Sequence, residues 1–581
     1  MAQVTLTIND RKVTVDEKST VLDAARQLNV KIPTLCHLNL HDLKINHTNA
    51  SCRICMVEID GRRNLAPSCA TPVVEGMVIR THTKRVLKSR RKVLELLVSD
   101  HPFDCLNCYK STDCELQTLV NEFGINKNTY EGFAMSQYPV DESSKAIRRD
   151  LTKCIMCRRC ETVCNNVQTV GVLTGYKRGF EAVVAPAEMK GIVDTKCTYC
   201  GQCVAVCPTA ALTGISYIQD VWNAIFDDKK TVIVQTAPAI RVAIGEEFGM
   251  QPGEIVTGKL VAGLRRMGFD SVFDTNFGAD LTIMEESAEL IERVVKNKDL
   301  PILTSCCPGW INFLEYQFPD LLNIPSTCKS PQQMFGAIAK SYYAEKIGKK
   351  PEEIVVVSIM PCIAKKYEAS RPEFAPNNVP DVDFALTTRE LAKMFKEAGL
   401  DLNDLPEEQF DSPLGESTGA ADIFASSGGV LEAALRTAYE KMTGKKLDKV
   451  DFVSVRGMEG VKEVTIDIGG TPLNFAITSG LGNARIVLEK IRSGESKYHG
   501  IEIMACPGGC INGGGQPFIH GDSSIIEKRM NAIYKEDSGK KLRKSHDNPS
   551  IQKLYKEYLG EPLGHKSHEL LHTEYYKKHG S

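Results

Sequence analysis

The chain has 581 residues with a net charge of −2, and 42% of them are hydrophobic, a composition typical of a globular protein with several domains. This balanced charge gives no general attraction to nucleic acid or to an anionic membrane. No apolar run in the sequence is long enough to cross a bilayer.

The 21 cysteines are the exceptional feature, and most of them stand two or three residues apart in four compact groups. A disulfide scaffold is the alternative, but such scaffolds belong to small exported chains. The first residues, MAQVTLTIND, lack the pattern of an export signal, so we expect a cytoplasmic protein. In a reducing compartment, thiols at this spacing are expected to bind metal.

Residues 1–83 are predicted to form a small β-grasp domain. Alternating apolar residues predict strands over residues 4–8 and 12–15, a short amphipathic helix begins near residue 21, and residues 54–59 supply another strand. Four cysteines fall in its loops, Cys36, Cys52, Cys55 and Cys69. They can enclose a 2Fe-2S cluster, but their spacing differs from the plant-type pattern, so zinc remains an alternative at this stage.

Residues 84–126 are predicted to form a basic helix over 84–98 followed by a second ligand group. That group is His101, Cys105, Cys108 and Cys114. Alone it would indicate zinc, but its position between two iron–sulfur modules favours a 4Fe-4S cluster. The basic run could dock an acidic ferredoxin, or it could simply be a solvated helix face; it comprises Lys84, Arg85, Lys88, Arg90, Arg91 and Lys92.

Residues 127–216 begin with a polar, turn-rich linker over 127–145 and then carry two cysteine runs with the spacing of bacterial two-cluster ferredoxins. In that pattern the fourth cysteine of each run binds the cluster of the other run. One 4Fe-4S cluster is therefore expected on Cys154, Cys157, Cys160 and Cys207, and the second on Cys164, Cys197, Cys200 and Cys203. Asn165 replaces the proline that usually follows the first run. Two structural zinc sites are the alternative.

Residues 217–581 are predicted to form one large α/β domain that ends in a helical segment over 555–575. Apolar runs at 231–236 and 354–358 alternate with helices, which favours parallel sheets. Three short segments carry the remaining grouped cysteines, which are Cys306 and Cys307, Cys362, and Cys506 with Cys510. The last segment is glycine-rich but lacks the Gly-Lys-Ser/Thr ending of a phosphate-binding loop.

These three segments resemble the signature segments of the iron-only (FeFe) hydrogenases, and the order of the N-terminal ligand groups is similar to that of the long bacterial members. The resemblance implies a multidomain α/β and α+β protein whose catalytic domain has two parallel-sheet lobes around an H-cluster. It implies one 2Fe-2S cluster, three accessory 4Fe-4S clusters, and an H-cluster 4Fe-4S unit on Cys307, Cys362, Cys506 and Cys510. Cys510 would also bridge to a di-iron azadithiolate centre with carbonyl and cyanide ligands.

The resemblance also implies roles for residues around the di-iron centre. Cys306 would exchange protons with it, and Glu286, Ser326 and Glu289 would relay them to solvent, although the two glutamates could equally be a solvated helix face. Lys365 would donate to a cyanide, whereas the default for a lysine is the surface. The expected pocket lining is Pro238, Ala239, Pro331, Gln332, Met360 and Met504, of which the methionines could instead be ordinary core residues. Some relatives have serine where Ala239 stands, and Cys328 is expected to be an inert buried thiol.

The implied function is the reversible oxidation of dihydrogen and reduction of protons, with ferredoxin or flavodoxin as electron partner, as in a ferredoxin hydrogenase. The implied protein is a monomer that needs hydrogenase maturation proteins. A hydrogen sensor or an iron–sulfur scaffold is the alternative. The first 216 residues also resemble subunits of NADH and formate dehydrogenases, but the three C-terminal segments argue against that interpretation.

Overall fold

The computed structural model describes residues 2–39, 50–130, 138–447 and 449–579. Part of the expected linker, residues 131–137, therefore lies outside the described residues. None of the described helices combines the length and the apolar character needed to cross a membrane.

The N-terminal module is a five-stranded mixed sheet with one helix packed on it. Its elements are β1 (Gln3–Ile8), β2 (Arg11–Asp16), α1 (Val21–Gln27), β3 (Met56–Ile59), β4 (Ala66–Pro67) and β5 (Val78–Arg80), in the sheet order β2-β1-β5-β3-β4. The predicted hairpin and helix are both present. Strand β3 begins at Met56 rather than at residue 54, because the preceding residues turn to carry two of the cysteines.

The next two modules are small and contain short elements between ligand loops. The first has α2 (Lys84–Ser99) and α3 (Glu115–Glu122). The second has β6 (Ile147–Arg149), α4 (Arg159–Thr162), β7 (Thr174–Tyr176), β8 (Val183–Ala185), α5 (Gln202–Val206) and β9 (Leu212–Gly214). Its strands form two antiparallel pairs, β6 with β9 and β7 with β8.

The large domain contains two four-stranded sheets, each forming one lobe. The first lobe has α6 (Ile218–Ile225), β10 (Thr231–Thr236), α7 (Thr257–Arg266), β11 (Ser271–Asp274) and α8 (Thr275–Lys296). The chain then enters the second lobe with β12 (Ile302–Leu303) and α9 (Pro308–Gln317) and returns through α10 (Pro331–Ile338), α11 (Ala344–Ile347), β13 (Ile354–Met360), α12 (Ala364–Ala369), β14 (Phe384–Thr387) and α13 (Thr388–Glu397).

The remaining elements complete the second lobe and cover both. They are α14 (Gly419–Asp422), α15 (Gly429–Thr443), β15 (Val461–Ile468), β16 (Thr471–Ser479), α16 (Leu481–Arg492), β17 (Gly500–Met504), α17 (Ser524–Gly539), α18 (Pro549–Leu554) and α19 (His565–Leu571). The C-terminal helices α18 and α19 pack against the core that contains α8 and α10.

Parallel pairing dominates both lobes, as predicted. The first sheet has the order β11-β10-β13-β14 and is parallel throughout. The second has the order β12-β17-β16-β15, and only the edge strand β15 is antiparallel, because it forms a hairpin with β16. Every residue of β13 is buried, which explains its uninterrupted apolar sequence.

Two expectations about charged residues need correction in part. The alternative of a solvated helix face for Glu286 and Glu289 is wrong, because α8 is buried almost continuously from Thr275 to Leu290, including both glutamates. Arg90 was grouped with the basic run on α2, but it is only 4% exposed and donates to the carbonyl of Met56 at 2.8 and 3.1 Å. Because Arg90 is buried and already bonded to this carbonyl, it cannot form part of a docking surface.

Candidate active site

Three strands from two different sheets bring the C-terminal cysteines together. Cys306 and Cys307 follow β12, Cys362 follows β13, and Cys506 and Cys510 follow β17. The carboxyl ends of these strands face one cavity between the lobes, the place where α/β sheets bind their ligands. All five cysteines line this cavity, whose free volume is about 80 Å³.

Every other residue predicted to line the pocket also borders this cavity. These residues are Pro238, Ala239, Pro331, Gln332, Met360, Lys365 and Met504. Thr275 and Phe424 line the same space but were not predicted from the sequence. Thr275 could have been found from its position, because it begins the helix that directly follows the parallel strand β11.

The thiols of this site are chemically suited to a metal cluster. They are free cysteines that form no disulfide. Burial and the neighbouring Cys307 raise the pKa of Cys362 to about 12, and burial likewise raises the pKa of Cys506 and Cys510. Thiolates packed this closely repel one another, so a cation between them would be needed to hold them in the ionised form that binds metal.

Glycine allows the last ligand loop to approach the end of β13. A Cβ atom on Gly513 would lie 2.2 Å from the carbonyl oxygen of Pro361, and Gly509 has a φ of +104°. A larger residue at either position would displace the loop that carries Cys510. Glycine lacks a Cβ atom, so the loop can approach this strand end without a steric clash.

Lys365 points into the site. It is 8% exposed, and its Nζ donates to the carbonyl of Cys306 at 3.1 Å and to Glu368 at 2.8 Å. Glu368, which the sequence reasoning missed, also accepts hydrogen bonds from Ser330 and Gln332 at 2.9 Å each. Its spacing three residues after Lys365 on α12 was the available signal. The expectation of a surface lysine is excluded by this burial.

Behind Cys306, α8 presents two buried carboxyl groups. Glu286 accepts a hydrogen bond from the backbone of Ser305, and its Oε1 has no hydrogen-bond partner among the described residues. Ser326 donates to Glu289 at 2.7 Å, and Arg293 pairs with the same carboxylate at 2.5 Å. The helix is therefore not a solvated face, and its carboxyl groups lead from the cavity toward Arg293.

The electrostatics around these two carboxyl groups favour a proton bound to Glu286. Burial is the main cause that raises the pKa of Glu286 to about 8, and repulsion from Glu289 is the second. Burial and Glu286 raise the pKa of Cys306. A carboxyl that titrates near neutral pH can both take up and release a proton.

The four cysteines of the N-terminal module meet in its interior. Cys55 and Cys69 have their sulfur atoms 3.3 Å apart, and Cys36 contacts both Cys52 and Cys69. All four are buried. Four buried thiols linked in this way by successive contacts form a compact group suited to a small cluster.

The second ligand group also converges. His101, Cys105, Cys108 and Cys114 line one cavity of about 270 Å³. The Nδ1 of His101 lies 3.0 Å from the carbonyl of Pro102, whereas its buried Nε2 has no partner among the described residues. Burial lowers the pKa of His101 and so keeps the ring neutral. A neutral imidazole that donates through Nδ1 and offers a free Nε2 has the form of a metal ligand.

The two ferredoxin-type sets gather in the crossed arrangement expected from their spacing. Cys164, Cys197, Cys200 and Cys203 line one cavity of about 30 Å³. Cys160 interacts electrostatically with Cys157, Cys207 and Cys154, and less strongly with Cys203 of the other set. Cys200 also borders the cavity between the lobes, so the ligand sites continue up to the catalytic domain.

The basic run on α2 is partly neutralised. Arg91 and Lys92 both pair with Glu95, at 3.1 and 2.9 Å, and Arg85 lies 3.5 Å from Glu58. Lys84 and Lys88 remain on the exposed side of the helix.

Comparison with known families accounts for nearly the whole chain. Residues 230–514 match the iron only hydrogenase large subunit, C-terminal domain, and residues 523–578 match the iron hydrogenase small subunit. Residues 1–84 match a 2Fe-2S iron–sulfur cluster binding domain, residues 90–129 the iron–sulfur binding region of NADH-ubiquinone oxidoreductase G, and residues 133–211 a 4Fe-4S dicluster domain. The fold and the site thus define an iron–sulfur hydrogenase.

Two individual relatives match over essentially the full length, and a solved structure matches over part of it. The chain is 59% identical to the NADP-reducing hydrogenase subunit HndD of Solidesulfovibrio fructosivorans, over 100% of both chains. It is 39% identical to iron hydrogenase 1 of Clostridium pasteurianum, over 99% of this chain and 100% of that one. A solved apo [FeFe]-hydrogenase HydA1 from Chlamydomonas reinhardtii superposes with a TM-score of 0.57 at 46% identity, covering 62% of this chain and 99% of that one.

The chain belongs to the iron-only (FeFe) hydrogenase family. Members of this family oxidise dihydrogen and reduce protons at an H-cluster, and this chain also carries 2Fe-2S and 4Fe-4S domains. Against the alternative of a dehydrogenase subunit, the catalytic region matches the hydrogenase domain, and the region at 90–129 matches the iron–sulfur binding region of a dehydrogenase subunit.

Proposed function

We propose that this chain is the catalytic hydrogenase of an electron-transfer system, and that its metal clusters are bound by the cysteine and histidine residues that the sequence predicts. The observation that carries the proposal is the convergence of Cys307, Cys362, Cys506 and Cys510 on one cavity that also contains Cys306. The first four would hold the 4Fe-4S part of the H-cluster, and Cys510 would also bind the di-iron part. When bound, the di-iron group supplies the site at which dihydrogen is formed or split.

The residues around this group orient it and keep water away. Lys365 would donate a hydrogen bond to a cyanide ligand, and Glu368 holds its ammonium group in place. Met360 and Met504 cover the group with soft apolar side chains. The remaining lining, Pro238, Ala239, Pro331 and Gln332, shapes the pocket. Ala239 would offer no hydroxyl donor to a cyanide ligand, unlike the serine of some relatives.

Protons follow a path made by this chain's own side chains. Cys306 takes or gives the proton at the cavity, Glu286 exchanges it, and Ser326 and Glu289 carry it outward. The direct hydrogen bond between Ser326 and Glu289 supports the outer half of this path. The unpartnered Oε1 of Glu286 supports the inner half, because a buried carboxyl oxygen without a partner is available to a moving proton or a bridging water.

Electrons travel through the accessory sites. We assign a 2Fe-2S cluster to Cys36, Cys52, Cys55 and Cys69, and a 4Fe-4S cluster to His101, Cys105, Cys108 and Cys114. The two ferredoxin-type 4Fe-4S clusters complete a series that ends at Cys200, beside the H-cluster cavity. Closely spaced one-electron carriers allow short hops across a wide protein.

The electron partner is a separate protein that meets the N-terminal modules. We infer a nucleotide-binding partner subunit, because the full-length relative at 59% identity is a subunit of an NADP-reducing hydrogenase and this chain has no nucleotide-binding motif of its own. Ferredoxin or flavodoxin acting on a monomer is the second candidate, supported by the exposed Lys84 and Lys88. In both cases the protein is cytoplasmic and depends on hydrogenase maturation proteins.

Infrared spectroscopy and gas measurement of the matured protein test this function. Carbonyl and cyanide stretching bands are expected, together with hydrogen evolution from reduced viologen. Bands without turnover would indicate a sensor, and zinc in place of iron would overturn the assignment. Adding NADPH with the copurified partner, or reduced ferredoxin to the isolated chain, then distinguishes the two electron partners.

A further inference from the structure

An ion pair between a buried arginine and a partly buried glutamate joins loops of the accessory sites. Arg159 stands between Cys157 and Cys160 and is only 3% exposed. Its two terminal nitrogens lie 2.6 and 2.8 Å from the carboxylate oxygens of Glu115, the residue that follows Cys114. Bidentate contacts of this kind are the strong form of the arginine–carboxylate pair. The pair therefore connects the ferredoxin-type module to the His101 module.

The same guanidinium reaches two further ligand loops. It donates to the carbonyl of His37 at 2.9 Å, and His37 follows Cys36. It also donates to the carbonyl of Val206 at 3.4 Å, and Val206 precedes Cys207. Arg159 thus contacts backbone or side chains next to ligands of three different cluster sites.

The two charges of the pair have different surroundings. Arg159 interacts electrostatically with Cys157 and Cys207, and its buried Nε has no hydrogen-bond partner among the described residues. Glu115 instead has His520 as its other neighbour, 3.5 Å away with a side chain that is 50% exposed. A buried N–H without a partner is costly, and a cluster sulfur beside it would satisfy it. The positive end of the pair is therefore the end that faces the thiols.

We propose that Arg159 raises the reduction potential of the 4Fe-4S cluster bound by Cys154, Cys157, Cys160 and Cys207, and that Glu115 positions Arg159 and limits its effect. This rests on the ligand set proposed above. Reduction adds one electron and breaks no bond, and a nearby positive charge or N–H donor stabilises the more negative reduced state.

The test uses the full chain produced without the di-iron group, so that only iron–sulfur signals contribute. The midpoint potential is measured by electron paramagnetic resonance during a redox titration, and the signal is assigned by the change that Cys157→Ser causes. Arg159→Met is expected to lower the ratio of reduced to oxidised cluster at least tenfold at a fixed potential. For one electron, this corresponds to a midpoint potential lower by about 59 mV. Glu115→Gln removes the compensating charge and is expected to raise the midpoint.

Arg158→Met is the matched control, because it makes the same substitution one residue earlier, where the side chain is 48% exposed and screened by water. An equal shift in this control and in Arg159→Met would overturn the proposal. An unchanged or lowered midpoint in Glu115→Gln would also overturn it, even if Arg159→Met lost its cluster. A missing cluster in the unsubstituted chain would instead contradict the ligand assignment, so the two failures are distinguishable by iron content.

Discussion

Ser326 donates a hydrogen bond to Glu289 at 2.7 Å, which connects the loop between α9 and α10 to the longest described helix, α8. This contact places a hydroxyl beside the outer carboxyl of the helix, with Arg293 on its other side. The outer part of the proposed proton path therefore depends on tertiary packing. The path can be tested by substitutions at its inner end and at the loop that holds Ser326.

At the inner end, Glu286→Gln is expected to slow hydrogen evolution on the order of a hundredfold or more, because an amide cannot take up and release the proton. The infrared bands of the matured protein should stay unchanged. Glu292→Gln is the control on the same helix, since its side chain is 46% exposed. Full turnover in Glu286→Gln would remove this residue from the path.

The pH dependence of stability offers a second test of Glu286. Its pKa is raised from 4.5 in the unfolded chain to about 8 in the folded one, mainly by burial. The folded chain therefore holds the extra proton between these values, so this contribution to stability is fully present below pH 4.5 and is lost as the pH rises through 8. Denaturant unfolding across this range should show a smaller loss in Glu286→Gln. An identical loss in both proteins would contradict the assigned pKa.

The C-terminal segment holds the Ser326 loop. Tyr575 donates to the carbonyl of Ser326 at 2.9 Å, and the backbone N–H of Thr573 donates to Thr327 at 2.7 Å. Tyr575→Phe is expected to reduce the free energy of unfolding by about 1 kcal/mol and to slow proton-limited turnover while the cluster content stays constant. Tyr576→Phe, at a side chain that is 56% exposed, should change neither quantity. Equal effects of the two substitutions would show that Tyr575 does not position Ser326.

His101→Ala is expected to remove one cluster without harming the others. The substitution takes away the free Nε2 that lines the cavity with Cys105, Cys108 and Cys114. Iron content should fall by the equivalent of one 4Fe-4S cluster, and turnover with a small dye should be retained better than turnover with the protein partner. Unchanged iron would show that His101 is not a ligand.

Gly513→Ala tests the close approach of the last ligand loop. The added methyl would lie 2.2 Å from the carbonyl oxygen of Pro361 and 3.1 Å from that of Cys510. Both atoms belong to the backbone and cannot move cheaply. We expect loss of the cluster held by Cys506 and Cys510, measured as iron and as missing infrared bands after maturation. Gly539→Ala is the control, because a Cβ there would meet nothing within 4 Å. Normal cofactor content in Gly513→Ala would contradict this role.

Burial was the main property that sequence patterns predicted poorly. Glu286, Glu289 and Arg90 have the residue types of exposed helix positions, yet each is buried. Helical periodicity shows which residues share a face, but the neighbour that covers the face comes from elsewhere in the chain. For Arg90 that neighbour is the carbonyl of Met56, on a strand of the preceding module.

The sequence by itself determined the family, and it predicted the ligand groups, because cysteine spacing within a tight loop is a local property that needs no knowledge of the fold. It also predicted the strands β10 and β13, since buried parallel strands require continuous apolar residues. Only the tertiary structure decided that the ends of β12, β13 and β17 meet at one cavity, and that Arg159 pairs with Glu115 between separate ligand loops. These contacts join residues that are distant in the chain, and packing of the lobes and modules, rather than any local pattern, brings them together.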